Sequence, residues 1–210
     1  MSAPAIAVLA SGGGRSMQNL AEQIAAGNLD ARIAVVLSND PRAGVLDRAR
    51  ALGLETVVVP HRDFADAGSF SRTVFAELDR RGCELAVLAG FLRLLVLPDA
   101  WVGRVLNIHP ALLPAFGGKG YYGDRVHRAV LEAGVPESGC TVHYVTNEYD
   151  AGPIVLQRRV AVQHDDTAEA LAARVFAEER RALPEACRLH LSGAVRLEGD
   201  RVVRRAVNPG

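Results

Sequence analysis

The sequence has little cysteine, few aromatic residues and no long apolar run. Its three cysteines, Cys83, Cys140 and Cys187, are widely spaced and odd in number, which excludes a disulfide framework and a zinc-binding pattern. No apolar stretch reaches the roughly 20 residues of a membrane-spanning helix, and the N-terminal residues lack the basic segment of a signal peptide. These absences predict a cytoplasmic protein without a membrane partner.

The net charge is zero, because the sequence has 24 basic and 24 acidic residues. No general electrostatic field therefore attracts nucleic acid, and we expect none as a partner. Apolar residues make up 49% of the 210 residues and charged residues 23%, which is typical of a globular protein with a substantial core.

Short apolar runs alternate with helical patterns in the first half of the sequence. Runs at 5–10, 32–37, 56–59 and 85–88 are typical of strands buried on both faces. Strict alternation predicts a parallel sheet with right-handed crossovers. We expect an α/β fold with a mostly parallel central sheet, whose N-terminal half, about 1–104, is Rossmann-like and nucleotide-binding.

The second half of the sequence does not continue the strict alternation of strand and helix patterns. We expect strands at 105–109, 141–145 and 154–156, and then a helix that a cap at Asp166-Thr167-Ala168-Glu169 opens and that Pro184 breaks or kinks. No linker or repeat divides the chain. We therefore expect a single domain over 1–210, with a mixed catalytic half at about 105–192 and a terminal β-hairpin at 193–210.

The candidate chemistry lies in Leu106-Asn107-Ile108-His109-Pro110. Alternation along a strand puts Asn107 and His109 on the same face, about 6.5 Å apart. Pro110 should end the strand and leave His109 at its carboxyl tip, where open α/β sheets bind ligands. An amide and an imidazole at this spacing could hold one small reacting group. The alternative is a buried histidine satisfied by a backbone carbonyl.

Ser11-Gly12-Gly13-Gly14-Arg15-Ser16 lies between the first strand and the first helix, where backbone amides and the positive helix end attract phosphate. The loop is neither a P-loop nor a complete GxGxxG, because Met17 occupies the last glycine position. Arg15 could supply a counter-charge. The alternative is a glycine-rich turn that is needed only for steric reasons.

Two further segments are candidates for binding or catalysis. Gly90–Leu95 could wall a pocket for a flat ring, or it could simply pack its leucines into the core. Asp150 would raise the pKa of a nearby imidazole towards neutrality, as a general acid requires, unless it only holds its own turn. His143 is interpreted as a packed or pairing residue of a strand. The other histidines share no metal-ligand spacing, so we expect no metal.

Three segments together resemble the phosphoribosylglycinamide formyltransferase family of folate-dependent enzymes. They are Leu88–Leu95, Leu106–Pro114 and Thr141–Gln157, and the likeness extends from the loop at Ser11 to about Pro184. The combination of Asn-x-His-Pro-x-Leu-Leu-Pro with a downstream Asp-x-Gly-Pro is highly specific for folate-dependent formyltransferases. The resemblance implies a parallel nucleotide-binding half followed by a folate-binding and catalytic half.

The resemblance also implies roles for single residues. Asn107 would hold the formyl oxygen, His109 would be the general acid, and Asp150 would tune His109 and help to move a proton through water. The implied folate-binding residues are Leu92, Arg93, Leu94, Leu95, Asn107, Asn147 and Asp150. The implied ribonucleotide-binding residues are Gly13, Gly14, Arg15 and Ser16 for the phosphate and Glu179 for the ribose.

The reaction implied is formyl transfer from 10-formyltetrahydrofolate to the amine of phosphoribosylglycinamide in de novo purine biosynthesis. We expect small-molecule substrates, no metal, and a monomer or homodimer. Methionyl-tRNA formyltransferases carry a C-terminal RNA-binding domain and formyltetrahydrofolate deformylases an N-terminal regulatory domain, and we expect neither here.

Some positions depart from the family pattern. Gly14-Arg15-Ser16 replaces the usual Gly-Ser/Thr-Asn, and the loop Gly117–Gly123 is longer than the common form. An arginine that many members use near the folate tail has no counterpart at 66–68, and Arg62 is an unaligned substitute. The acceptor therefore stays open between phosphoribosylglycinamide and another amine, such as an amino sugar nucleotide. A non-catalytic nucleotide-binding module is the alternative outside the enzyme class.

Overall fold

The computed structural model describes residues 3–205. The packing divides the chain into two compact units, one ending at Leu106 and the other beginning at Asn107. Across residues 3–205, no helix is both long and apolar enough to cross a membrane.

The first unit alternates strands and helices, as the apolar runs predicted. Its strands lie in the order β3 (Thr56–Val58), β2 (Arg32–Ser38), β1 (Ala5–Leu9) and β4 (Leu85–Leu88), and each neighbouring pair is parallel. All five residues of β1 are buried, which explains its continuous apolar sequence. The elements are β1 (Ala5–Leu9), α1 (Arg15–Ala25), β2 (Arg32–Ser38), α2 (Gly44–Ala51), β3 (Thr56–Val58), α3 (Ala67–Asp79) and β4 (Leu85–Leu88).

The loops that follow β1, β2 and β4 meet at the carboxyl ends of these strands. The Ser11 amide donates to the Gly90 carbonyl at 2.9 Å. The Ser11 hydroxyl donates to Asn39 Oδ1 at 2.5 Å and accepts from the Leu92 amide at 2.9 Å. The glycine loop is therefore held directly against the segment that follows β4, at the sheet edge where α/β folds bind ligands.

In the second unit, one long helix packs on an antiparallel strand pair. Strands β6 (Glu137–Tyr144) and β7 (Ile154–Ala161) are antiparallel, and α5 (Ala168–Leu191) contacts both of them. Strands β8 (Val195–Glu198) and β9 (Arg201–Arg204) form the expected terminal hairpin. Residues 206–210, which were expected to belong to that hairpin, lie outside the described residues. Strand β5 (Val105–His109) crosses the boundary, and the later elements are α4 (Asp124–Glu132), β6 (Glu137–Tyr144), β7 (Ile154–Ala161), α5 (Ala168–Leu191), β8 (Val195–Glu198) and β9 (Arg201–Arg204).

The predicted strands of this unit were too short. The register pairs Glu137 with Ala161 and continues to His143 opposite Ile154. Several residues of this ladder, such as Arg158 and Arg159, are polar or charged, so apolar runs alone could not reveal it. Antiparallel strands commonly leave one face to solvent, which permits such residues.

Pro184 was expected to break or kink the last helix, and the break is wrong. Helix α5 continues through Pro184 to Leu191. Leu183, Pro184 and Cys187 are buried, and tertiary packing of this kind offsets the hydrogen bond that an interior proline removes. The helix cap is Thr167, whose side chain accepts from the Ala170 amide at 3.1 Å, whereas Asp166 pairs with Arg174 instead.

Candidate active site

Asn107, His109 and Asp150 form one polar cluster in the second unit, in which His109 is buried and the other two residues are partly buried. Asn107 Nδ2 donates to Asp150 Oδ1 at 3.2 Å, and His109 Nδ1 lies 3.5 Å from Asp150 Oδ2. The side chains of His109 and Asp150 are 5% and 12% exposed. Their positions follow from β5, whose alternation turns Asn107 and His109 to the same face, and from the loop after β6, which carries Asp150.

Backbone contacts fix the carboxylate of Asp150. Its Oδ2 accepts from the Gly118 amide at 2.9 Å, and Asp150 itself has a φ of 54°, in the left-handed region. A Cβ at Gly152 would lie 1.7 Å from the Tyr144 carbonyl oxygen. Only glycine therefore lets the chain return to β7 directly after Asp150.

Both ring nitrogens of His109 face acceptors. Nε2 lies 2.8 Å from the Phe116 carbonyl oxygen, which can only accept, so Nε2 carries a hydrogen. This is the backbone contact that a structural histidine would make. In the neutral ring, however, Nδ1 is free to take up a proton in front of the Asp150 carboxylate.

The acid–base state of the pair differs from the expectation. Burial lowers the pKa of His109 below its usual 6.5, and the Asp150 carboxylate and the Phe116 carbonyl only partly offset this effect. The expected net rise towards neutrality is therefore wrong for the ligand-free protein. Burial acts to raise the pKa of Asp150, but His143, His109 and the Gly118 amide together bring it below 3.8. At neutral pH the pair is thus a carboxylate beside a mostly neutral imidazole.

The glycine loop and the segment after β4 both belong to the first unit. Gly14 has a φ of 79° and comes directly before α1, which begins at Arg15. Leu92 is 42% exposed and Leu95 only 1%, so the segment offers one apolar side chain to solvent and buries another. Of the other expected ligands, Glu179 lies in α5 and Asn147 in the loop after β6, both in the second unit.

Leu92 and Arg93 also border a cavity of about 390 Å³ in the first unit. Arg42, His61 and Arg62 lie on its wall, together with Asn39. Within residues 3–205, neither Arg62 nor Arg93 has a carboxylate partner within 4.0 Å. The wall also carries the carboxylates of Asp40 and Asp63, and the charge of Arg62 contributes to lowering the pKa of Asp40. The described residues contain no group of three histidine, cysteine or acidic side chains that could hold a metal ion.

Comparison with known proteins identifies the family. The formyl transferase family model matches residues 5–187. The chain belongs to this family. The match includes the whole cluster of Asn107, His109 and Asp150.

Relatives of this chain are similar over nearly all of its length. The trifunctional purine biosynthetic protein adenosine-3 of Bos taurus is 40% identical over 194 residues, which are 91% of this chain and 19% of that protein. The chloroplastic phosphoribosylglycinamide formyltransferase of Arabidopsis thaliana is 40% identical over 86% of this chain and 63% of its own length. The chain thus spans about a fifth of the first relative and under two thirds of the second.

A solved structure supports the fold class. Glycinamide ribonucleotide transformylase 1 from Symbiobacterium toebii has a TM-score of 0.89 and 40% identity, covering 97% of this chain and 94% of that one. The predicted α/β class is confirmed: a mostly parallel central sheet with flanking helices and a C-terminal antiparallel hairpin.

The sequence analysis missed one member of the cluster. His143 Nε2 lies 3.0 Å from Asn107 Nδ2 and 3.7 Å from Asp150 Oδ1. Its Nδ1 lies 2.9 Å from the Tyr144 carbonyl oxygen and must donate to it. In the neutral ring Nε2 is therefore an acceptor for Asn107. No local signal in the sequence reveals this contact, because His143 lies 36 positions from Asn107 and the strand register shifts between Val142 and His143.

Proposed function

We propose that this chain transfers the formyl group of 10-formyltetrahydrofolate to the primary amine of phosphoribosylglycinamide, in de novo purine biosynthesis. The observation that carries the proposal is the largely buried cluster of Asn107, His109 and Asp150, with contacts of 3.2 and 3.5 Å. An amide donor, an imidazole and a carboxylate in contact serve acyl transfer, whereas a module that only binds a nucleotide has no use for them. Two of the relatives described above bear the activity in their names.

The first chemical step needs a hydrogen-bond donor for the oxyanion. The amine attacks the formyl carbon, and the carbonyl electron pair moves to oxygen. Asn107 donates to this oxygen, and one such donor is typically worth about 3 kcal/mol of barrier. In the ligand-free protein both hydrogens of Asn107 Nδ2 face His143 and Asp150. One of these contacts is therefore exchanged for the formyl oxygen when the folate binds.

The second step breaks the bond between the formyl carbon and the folate nitrogen, which must gain a proton. His109 supplies this proton, because the developing oxyanion favours its charged form beside Asp150. Because the ring is mostly neutral at first, the proton that the attacking amine loses passes first through water and Asp150 to Nδ1 of His109, and the charged ring then gives its Nε2 hydrogen to the folate nitrogen, so the protons balance. Transfer of the proton from Nε2 of His109 to the folate nitrogen requires that the hydrogen bond between Nε2 and the Phe116 carbonyl break.

Residues of the first unit hold the phosphate of the ribonucleotide. The ligands are Gly13, Gly14 and Ser16, through their backbone amides, together with Arg15. Within the described residues no hydrogen-bond acceptor is found for the three amides, and the start of an α-helix favours an anion. The ribose hydroxyls bind the carboxylate of Glu179.

The folate contacts several parts of the chain. The pteridine ring binds main-chain groups of Leu92, Leu94 and Leu95, and the loop with Asn147 and Asp150 folds around it. Carboxylates of the folate tail pair with Arg93 and with Arg62, two residues that line the cavity; Arg62 already interacts at longer range with Asp40. Arg62 thus replaces the arginine that is missing at 66–68.

The test is formyl transfer from 10-formyltetrahydrofolate to phosphoribosylglycinamide, followed by release of tetrahydrofolate. The expected result is turnover with this acceptor and none with an amino sugar nucleotide. The reverse preference would show that the acceptor is an amino sugar nucleotide, in keeping with the unusual Arg15-Ser16 pair. It would not contradict the roles of Asn107, His109 and Asp150. Nucleotide binding without transfer to any amine would instead favour a non-catalytic module.

We also propose that the activity takes place in the cytoplasm. A single formyltransferase domain, acting as a monomer or homodimer, carries it out. No metal and no nucleic acid takes part. The plant relative is described as chloroplastic, so compartment varies among relatives of similar sequence.

A further inference from the structure

Arg48, in α2, contacts the glycine loop of the first unit. Its Nε donates to the Gly13 carbonyl at 2.7 Å, and its Nη1 donates to Gln18 Oε1 at 2.7 Å. Gln18 lies in α1, and its own amide donates to Glu22 at 3.0 Å. One guanidinium group therefore joins α2 both to the loop and to the helix that follows the loop.

The start of α2 supports the same loop through Val45. The Val45 amide donates to the Gly12 carbonyl at 2.9 Å. A Cβ at Gly14, whose φ is 79°, would lie 2.6 Å from Val45 Cγ2. Backbone and side chain of Val45 thus fix the loop on the side that faces α2.

These contacts determine which way the loop amides point. The carbonyls of Gly12 and Gly13 both face α2, because they accept from Val45 and Arg48. In a planar trans peptide the N–H points opposite to the C=O. The amides of Gly13 and Gly14, which belong to the same two peptides, must therefore point away from α2, and neither has an acceptor among residues 3–205.

We propose that Arg48 is a positioning residue for the phosphate of the substrate. By holding the Gly13 carbonyl it presents the Gly14 amide to the phosphate, and its positive charge lowers the cost of bringing an anion to this loop. The inference rests on the proposed function, which makes the loop the phosphate site. Arginine is required, because its planar fork spans the Gly13 carbonyl and Gln18 at once, whereas lysine offers a single ammonium group.

The experiment compares variants of the full chain in two assays, binding of inorganic phosphate and steady-state kinetics. Arg48→Ala should weaken phosphate binding and raise KM for phosphoribosylglycinamide by about tenfold or more, as expected for a lost hydrogen bond from a charged group, with much less change in kcat. Arg48→Lys should recover only a small part of the loss. Arg50→Ala is the matched control, since this arginine of the same helix pairs with Asp47 at 3.0 Å and should change both quantities less than about twofold.

A third comparison separates positioning from general damage. The acceptor that lacks the phosphate, glycinamide riboside, should show the same KM with the wild-type chain and with Arg48→Ala. Equal losses for both acceptors, or full recovery in Arg48→Lys, would overturn the proposal. So would wild-type phosphate affinity in Arg48→Ala; if that variant does not fold, Arg48→Lys decides by the same measurement. If the wild-type chain forms no product from phosphoribosylglycinamide, the proposed function fails, while phosphate binding still tests Arg48.

Discussion

Asp150 influences both neighbours that the proposed chemistry uses, His109 through its charge and Asn107 through a hydrogen bond. Its carboxylate raises the pKa of His109, although burial has the larger, lowering effect. Asp150→Asn should therefore move the pKa of His109 further below 6.5, measured by NMR titration of the ring. The same change should lower kcat by about 100-fold or more, the usual size of an acid–base contribution, with a far smaller effect on folate affinity.

A matched control is Asp165→Asn, which changes an exposed aspartate of the same unit and should leave kcat and the His109 titration unchanged. An unaltered His109 pKa in Asp150→Asn would show that the two side chains are not coupled in solution. Near-normal turnover in that variant would remove Asp150 from the catalytic mechanism.

His143 should orient Asn107 rather than touch the substrate. Its Nε2 accepts from Asn107 Nδ2 at 3.0 Å, so His143→Leu removes one of the two hydrogen bonds that orient the amide. We expect kcat to fall by about tenfold or more, part of the roughly 3 kcal/mol that one oxyanion donor supplies. His143→Gln, whose side-chain oxygen can accept the same hydrogen bond, should recover some of this loss. Equal kcat values for the leucine and wild-type chains would contradict the assignment, and His164→Gln, at an exposed site, is the control.

At the scale of residues, the sequence pattern predicted only those features that neighbouring residues determine. Alternation along one strand gave the common face of Asn107 and His109. The role of Asp150 came from family resemblance, because its contact with Asn107 joins residues 43 positions apart. The contact of His143 with Asn107 joins residues 36 positions apart. No spacing rule reaches across such distances, so His143 was interpreted as a packed residue.

Among the elements, α2 and the glycine loop depend on Gly14. An added Cβ there would meet Val45 at 2.6 Å, and the backbone has a φ of 79° that L side chains rarely adopt. Gly14→Ala should therefore lower the free energy of unfolding by about 1–3 kcal/mol and weaken phosphate binding. Gly13→Ala is the matched control for stability, because a Cβ at Gly13 has no atom within 4 Å. Urea unfolding of both variants measures the difference, and equal losses would mean that Val45 does not confine the loop.

The accuracy of the predicted element boundaries likewise depends on whether neighbouring residues or tertiary contacts determine them. Strands buried on both faces, such as β1 and β4, were predicted from their apolar runs. Strands β6 and β7 extend over polar residues, because pairing between them rather than burial sets their length. Pro184 stays inside α5 because the surrounding residues are buried. Sequence pattern therefore predicts an element well where burial forms it, and poorly where partner strands or packing do.

At the scale of the whole molecule, acid should destabilise the fold through buried histidines. Burial lowers the pKa of both His109 and His127 below 6.5. His127 is 5% exposed, and its Nδ1 has no hydrogen-bond partner among the described residues. Near pH 7.5 neither ring is charged in the folded or the unfolded chain. Below pH 6.5 the unfolded chain binds protons that the folded chain does not, so the free energy of unfolding decreases as the pH is lowered.

The predicted slope is at most about 1.4 kcal/mol per pH unit for each histidine. Carboxylates with lowered pKa, such as Asp150 and Asp166, also favour the folded state, but their contribution is lost only near pH 4 and below, outside this window. Urea unfolding at pH 7.5, 6.5 and 5.5 should therefore give decreasing free energies of unfolding, and His127→Gln should reduce the slope because one of the two groups is gone. A slope that is unchanged in His127→Gln would mean that this ring gains its proton as easily in the folded chain as in the unfolded one.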